Sequence, residues 1–235
     1  MSTPIATPAE SAALPATRRV TVPELLLVLG LPTSLFFAGS LRWLAHNTGN
    51  PYVSDARVAS TLVFELALAA LLLPFLRRRG WRPGQVAGTP EPRDVLRGAG
   101  VWLAAMASYY LTWIVFTLSA PTLARAIHHG PTPGVHVSAV MIVVVAVLNP
   151  LFEEFLWLGY GIPALGSRLG LRGASVVSVA LRVAVHIYQG AQGIIGILPV
   201  AIVFTRYYAR TRRLWPVVVA HVIADALAFA LVSMR

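Results

Sequence analysis

Residues 136–162 read HVSAVMIVVVAVLNPLFEEFLWLGYGI. From Val137 to Leu148 the run carries no ionisable side chain. A spanning helix needs about 20 apolar residues, so this stretch is long enough to cross a bilayer once. Only Glu153 and Glu154 interrupt it with charge. A charge at the bilayer centre costs at least about 2.5 kcal/mol on insertion scales. Two adjacent carboxylates inside such a run therefore mark a site.

Outward from this stretch the pattern repeats. Apolar runs fall at roughly 22–44, 54–76, 97–119, 174–190, 192–209 and 215–233. The chain of 235 residues is 57% hydrophobic and 12% charged, with mean hydropathy +0.70. Soluble domains carry about 25% charged residues, so the composition excludes an ordinary soluble enzyme. The expected fold class is all-α: a polytopic membrane helix bundle of about seven transmembrane helices. There is no strand pattern and no internal repeat. Residues 1–19, rich in Ala, Thr, Pro and Ser, read as a disordered tail. No clean cleavage site follows the first apolar run, which reads as a retained span. Residues 20–134 then form the N-terminal transmembrane helices and 135–235 the core helices.

All 19 basic residues are arginine, and the net charge is +10. They lie between apolar runs rather than on a soluble face, so no nucleic-acid partner is expected; the partner is the lipid bilayer. With the N-terminus in the cytoplasm, 14 arginines fall on the inner side and Arg42, Arg57, Arg125 and Arg235 on the outer side. This satisfies the positive-inside rule. The expected location is a cell (inner) membrane. Arg77, Arg78 and Arg79 read as a topology and lipid anchor. Trp43, Trp81 and Trp215 read as interfacial belt residues. No cysteine is present, which excludes a thiolate nucleophile and Cys-ligated metal.

Seven ionisable groups lie well inside the apolar runs, away from their ends: Glu65, Glu153, Glu154, Arg182, His186, His221 and Asp225. Six of them fall in the last four spans. Positions four apart share a helix face, which pairs Asn149 with Glu153, Arg182 with His186, and His221 with Asp225. Glu153 and Glu154 point to different faces. A carboxylate in a low-dielectric pocket suits a general base for water. A histidine beside it can orient that water, and a second with an acidic partner can donate to a developing oxyanion. Two histidines and a carboxylate are also a catalytic zinc set. Glu153, His186 and His221 are therefore the metal candidates, although no local His-x-x-x-His signature accompanies them. A divalent metal such as zinc is the rival use, and a metal-free site is the expectation. Glu65 reads as structural or near an interface. His128, His129 and His136 read as a solvated outer loop.

The stretches Glu153-Glu154-Phe155-Leu156-Trp157-Leu158, Arg182-Val183-Ala184-Val185-His186 and His221-Val222-Ile223-Ala224-Asp225 resemble the CPBP family. That family includes type II CAAX prenyl endopeptidases and the bacteriocin-processing or immunity (Abi-type) membrane proteins. Its motifs are Glu-Glu-x-x-x-Arg, Phe-x-x-x-His and His-x-x-x-Asn/Asp on successive core helices. The resemblance implies an intramembrane endopeptidase acting on a membrane-embedded or lipid-modified peptide. In that reading Glu153 activates water, His186 positions it, His221 with Asp225 stabilises the oxyanion, and Glu154 supports them. Two departures stand out: Leu158 replaces the motif's arginine, and Arg182 replaces its phenylalanine. Either the guanidinium has moved one helix away to pair with Glu154, or the site has decayed. The rival functions are a non-catalytic immunity or scaffold protein and a proton-coupled transporter, since buried Glu, His and Asp also form relays.

Overall fold

The computed structural model describes residues 20–46, 52–128 and 134–233. The tail 1–19, His129 and Arg235 lie outside the described residues. Thr21 caps the first helix, its hydroxyl accepting from the Glu24 N–H at 3.3 Å, with Pro23 in the first turn. This helix, Val22–His46, includes a π-helical turn at Leu26–Gly30. The helix Asp55–Arg78 starts at a Ser54 cap and ends in its basic pair. Arg93–Ser119, Ala139–Val185, Ile187–Thr211 and the shorter apolar helix Trp215–Leu231 follow.

Among the described residues, five helices are long and apolar enough to cross a membrane. The sequence suggested about seven spans, and the difference has a physical source. Ala139–Val185 runs for 47 residues, which as one straight helix would be about 70 Å long, over twice a bilayer core. It is not straight. Gly170 takes φ 68° and ψ 170°, a backbone state suited to glycine, and divides the run into two arms. These arms are the expected fourth and fifth segments.

Large apolar side chains face outward. Leu96, Leu118, Val140 and Val176 are each more than two-thirds exposed, the arrangement a lipid solvent selects. Inside, Trp215–Ser233 packs against Arg93–Ser119 and Ala139–Glu154. The first crossing is close because Gly98 has no side chain: a Cβ there would stand 2.5 Å from Val219 Cγ1. Small residues at such crossings let membrane helices approach. The helix Gly190–Thr211 packs against Arg93–Ser119 and Gly161–Val185.

Two ties fix the ends. At one end, Tyr52–Ser54 pairs in parallel with Gly134–His136, and the Ser138 N–H donates to Asp55 Oδ1 at 2.8 Å. This joins the starts of the helices that carry Glu65 and Glu153. At the other, Arg213 donates to both oxygens of Asp94 and to Glu91, while Arg97 donates to the same two carboxylates.

Two aromatic expectations need correcting. Trp81 is buried and donates to Glu24 Oε1 at 2.8 Å, and Trp43 is buried under the Arg57 guanidinium. Both are packed into the bundle rather than turned outward. Trp215 is also tied inward, donating to the Gly88 carbonyl at 2.9 Å. Arg79, placed by sequence in a lipid anchor, donates to the buried Glu24 carboxylate at 2.9 Å. A buried carboxylate needs such a partner, while the Arg79 side chain itself stays 42% exposed.

Candidate active site

Glu153 and Glu154 occupy the last turn of Ala139–Glu154, directly before a π-helical segment Phe155–Tyr160. Such π segments recur at functional sites because the wider turn re-aims side chains. Adjacent residues on a helix diverge, and here they meet different partners.

Glu154 is fully buried. Arg182 grips it with two parallel bonds, Nη1 to Oε1 at 2.7 Å and Nη2 to Oε2 at 2.6 Å. This fork-to-fork pairing is the strong form of an Arg–carboxylate contact. The guanidinium lies between Trp157 and Phe204, 5.4 and 5.7 Å from their ring centroids. Arg182 therefore points into the bundle, not to lipid. Leu158 is also buried and leaves the guanidinium's place to Arg182.

His221 reaches the same carboxylate, Nδ1 to Glu154 Oε1 at 2.7 Å. An ionised carboxylate accepts only, so Nδ1 carries the proton. The Nε2 edge faces Asp225 Oδ1 at 3.5 Å. The sequence paired His221 with Asp225 and gave Glu154 a supporting place. In the structure Glu154 is the tighter partner of His221, because the Arg182 fork holds its oxygen at the ring.

His186 sits where Gly161–Val185 ends. Its Nδ1 donates to the Arg182 carbonyl at 2.7 Å, an i to i−4 contact that leaves Nε2 as the ring's free edge. Trp157 and Tyr188 flank the ring, with centroids 6.4 and 6.0 Å away. Ser40 of the first helix donates to the Val185 carbonyl just before it. Glu153 is an electrostatic neighbour of His186.

Glu153 is buried but differently equipped. Asn149 donates to its Oε1 at 3.3 Å, and its Oε2 has no hydrogen-bond partner among the described residues. The same Asn149 amide donates to Glu65 Oε1 at 2.6 Å. Glu65 is thus brought to the site from the second helix, where sequence reading had left it as a structural residue. Its signal was present: it is the only ionisable residue between Arg57 and Arg77. The flanking Tyr188 and Phe204 were not separable by sequence from core aromatics.

Glu65 also lines a cavity of ≈ 270 Å³ between the first, second and fourth apolar segments. Its wall is otherwise almost entirely Leu, Phe, Val and Ala, with Tyr160 at one side. Such a space suits hydrocarbon.

Among the described residues, no three His, Asp or Glu side chains stand where they could hold one metal ion. The Arg182 cation that grips Glu154 beside them also opposes a second positive charge there. The residues as arranged do not fit a metal held by Glu153, His186 and His221, and no chemical step below is routed through one. Of the three outer histidines, His136 is exposed.

No curated protein and no solved structure matches the chain. Residues 135–227 match the family described as Type II CAAX prenyl endopeptidase Rce1-like. The match spans the helices that carry Glu153, Glu154, Arg182, His186, His221 and Asp225, and stops before the C-terminus. This multi-pass membrane chain thus carries, over residues 135–227, a domain of the CPBP family of CAAX-protease-like membrane proteins.

Proposed function

We propose that the chain is an intramembrane endopeptidase that hydrolyses a peptide bond of a lipid-modified or membrane-embedded substrate by glutamate-activated water. One observation carries the reading: the two adjacent glutamates are in opposite states. Glu154 has every oxygen bound by Arg182 and His221, while Glu153 keeps one buried oxygen without a partner. A base must have a free acceptor within reach of the proton it takes.

In this reading a water is held between Glu153 Oε2 and His186 Nε2. Glu153 takes one proton as the water oxygen bonds to the scissile carbonyl carbon. The oxyanion that develops is met by a donor on His221, whose ring Glu154 fixes through Nδ1 and whose Nε2 edge lies toward the open side near Asp225. The C–N bond then breaks, and Glu153 returns its proton to the leaving amine. The water oxygen remains in the new carboxyl group.

The apolar cavity beside Glu65 supports a substrate with a hydrocarbon part. The Arg182–Glu154 fork favours relocation of the motif's guanidinium over decay, and so an active enzyme over a scaffold. We further propose a cell membrane location with the N-terminus in the cytoplasm, and seven crossings once Gly170 and the short last helix are counted.

The test uses the full chain in lipid nanodiscs with two internally quenched peptides. One ends in a farnesylated cysteine-containing CAAX sequence, and the other is an unmodified membrane-spanning segment. Cleavage of either, lost in Glu153→Gln, supports the reading. Turnover that survives Glu153→Gln, or no cleavage of either peptide by folded wild type, overturns it.

A further inference from the structure

We infer that Glu65 is a positioning residue for Glu153, acting through Asn149, so that a helix outside the family-matched region completes the site. The inference rests on Glu153 as the base. The bond pattern points to it. A carboxamide has two N–H donors and one acceptor oxygen. The Asn149 nitrogen faces two carboxylate oxygens, Glu65 Oε1 at 2.6 Å and Glu153 Oε1 at 3.3 Å. Two hydrogens meet two acceptors. A flipped amide would instead set its oxygen against both carboxylates.

The shorter bond is the one to Glu65, which is 2% exposed and crosses from the helix Asp55–Arg78 to Ala139–Glu154. Glu65 therefore fixes the amide, and the amide fixes Glu153 through Oε1. That leaves Glu153 Oε2 as the open oxygen. Without Glu65, Asn149 loses its better acceptor and the orientation of Glu153 is no longer imposed. Glu65 lies 70 residues before the matched segment begins at residue 135, since 135 − 65 = 70. The N-terminal helices then do more than hold the domain in lipid.

A purely structural bond between helices would look the same in coordinates, so the test reads Glu153 itself. Infrared difference spectra of the full chain in nanodiscs locate the Glu153 carboxyl band by its loss in Glu153→Gln. The band should move in Glu65→Leu, which offers no acceptor. It should stay in Glu65→Gln, whose carbonyl oxygen can accept the same bond. On the farnesylated peptide, Glu65→Leu should lower kcat by roughly 10²-fold, the order that a misplaced catalytic group costs, with KM little changed. Glu65→Gln should recover most of the rate. If Glu65→Leu does not fold, Glu65→Ser, too short to reach Asn149, makes the same comparison. An unmoved Glu153 band in a folded Leu or Ser variant overturns the inference, as does a Gln variant as slow as Leu. If wild type cleaves neither peptide, the peptidase reading fails while the band still decides the role of Glu65.

Discussion

Two clusters of arginine and carboxylate hold this bundle, and they differ in what surrounds them. In the core, Glu154 and the Arg182 side chain are 0% and 4% exposed, and His221 12%. At one end, Arg97 and Arg213 are 39% and 25% exposed, around Glu91 at 43% and an Asp94 side chain at 3%. The bonds are alike in length. Their consequences are not, because breaking the core pair leaves an uncompensated buried charge at about 3–5 kcal/mol, whereas Arg97, Arg213 and Glu91 keep much of their hydration and are screened by solvent. The end cluster joins the loop before Arg93–Ser119 to the turn between the last two helices. The core cluster joins three helices and sets two histidines beside a carboxylate with an open oxygen. One is a clamp, and the other is the frame of a site.

The sharpest way to break this contrast is chemical. Glu153→Gln keeps the side-chain volume and removes the base. Turnover on whichever quenched peptide wild type cleaves should fall by 10²-fold or more, with thermal unfolding nearly unchanged. Asp94→Asn in the end cluster should leave turnover intact. Turnover unaffected by Glu153→Gln would erase the distinction between frame and clamp.

The next effect is on stability. Arg182→Phe strands Glu154 and should destabilise the chain by about 3–5 kcal/mol, read by thermal or denaturant unfolding in detergent. Adding Leu158→Arg returns a guanidinium to the motif's own position, four residues from Glu154, and should recover part of the loss. If Arg182→Phe alone unfolds like wild type, the core pair is not the structural frame described here. If the double variant recovers nothing, the guanidinium's two positions are not equivalent.

Much of this division was readable in the sequence. The bundle followed from apolar runs, and the motif spacing brought Glu154, Arg182, His186 and His221 to one place. The Arg182–Glu154 contact could be anticipated because a buried arginine requires a carboxylate. Other features were not readable. Periodicity gives the face of a helix, not which neighbouring helix meets it, so Glu65 and Asn149 could not be joined from spacing alone. His221 does face Asp225, as the i to i+4 spacing suggested, but its closer partner Glu154 lies across 67 positions and could not be named from spacing. Trp81 and Trp43 were assigned to an interface from their place near helix ends. Whether a terminal residue turns inward depends on a tertiary partner such as Glu24, which local sequence does not name.

A smaller effect belongs to the end cluster. Arg213→Ala should cost less than Arg182→Phe, because Arg97 still pairs with the buried Asp94, and the part of the cost carried by the exposed Glu91 should shrink as salt is raised. A loss as large as that of Arg182→Phe, or one independent of salt, would make the two clusters energetically alike.

The smallest effect is its response to acid, and the sign follows from the partners. Hydrogen bonds from Arg97 and then Arg213 hold the Glu91 carboxyl below its ordinary range. Hydrogen bonding to Asp94 correspondingly raises Arg213. A group whose folded pKa is lowered contributes stability that is fully present above its unfolded value, about 4.3 for Glu. That contribution is lost as pH falls through the lowered value. Amide exchange of Gly88, Thr89 and Glu91, corrected for the intrinsic rate at each pH, should therefore be steady from about pH 7 to 5 and quicken below about pH 4. Glu91→Gln should exchange faster near neutrality and show a weaker acid response, the remainder coming from Asp94. Loop exchange in wild type that ignores acid would mean that Glu91 and its two arginines do not hold the loop, leaving the Ala87 and Gly88 carbonyl contacts with Leu214 and Trp215 to do so.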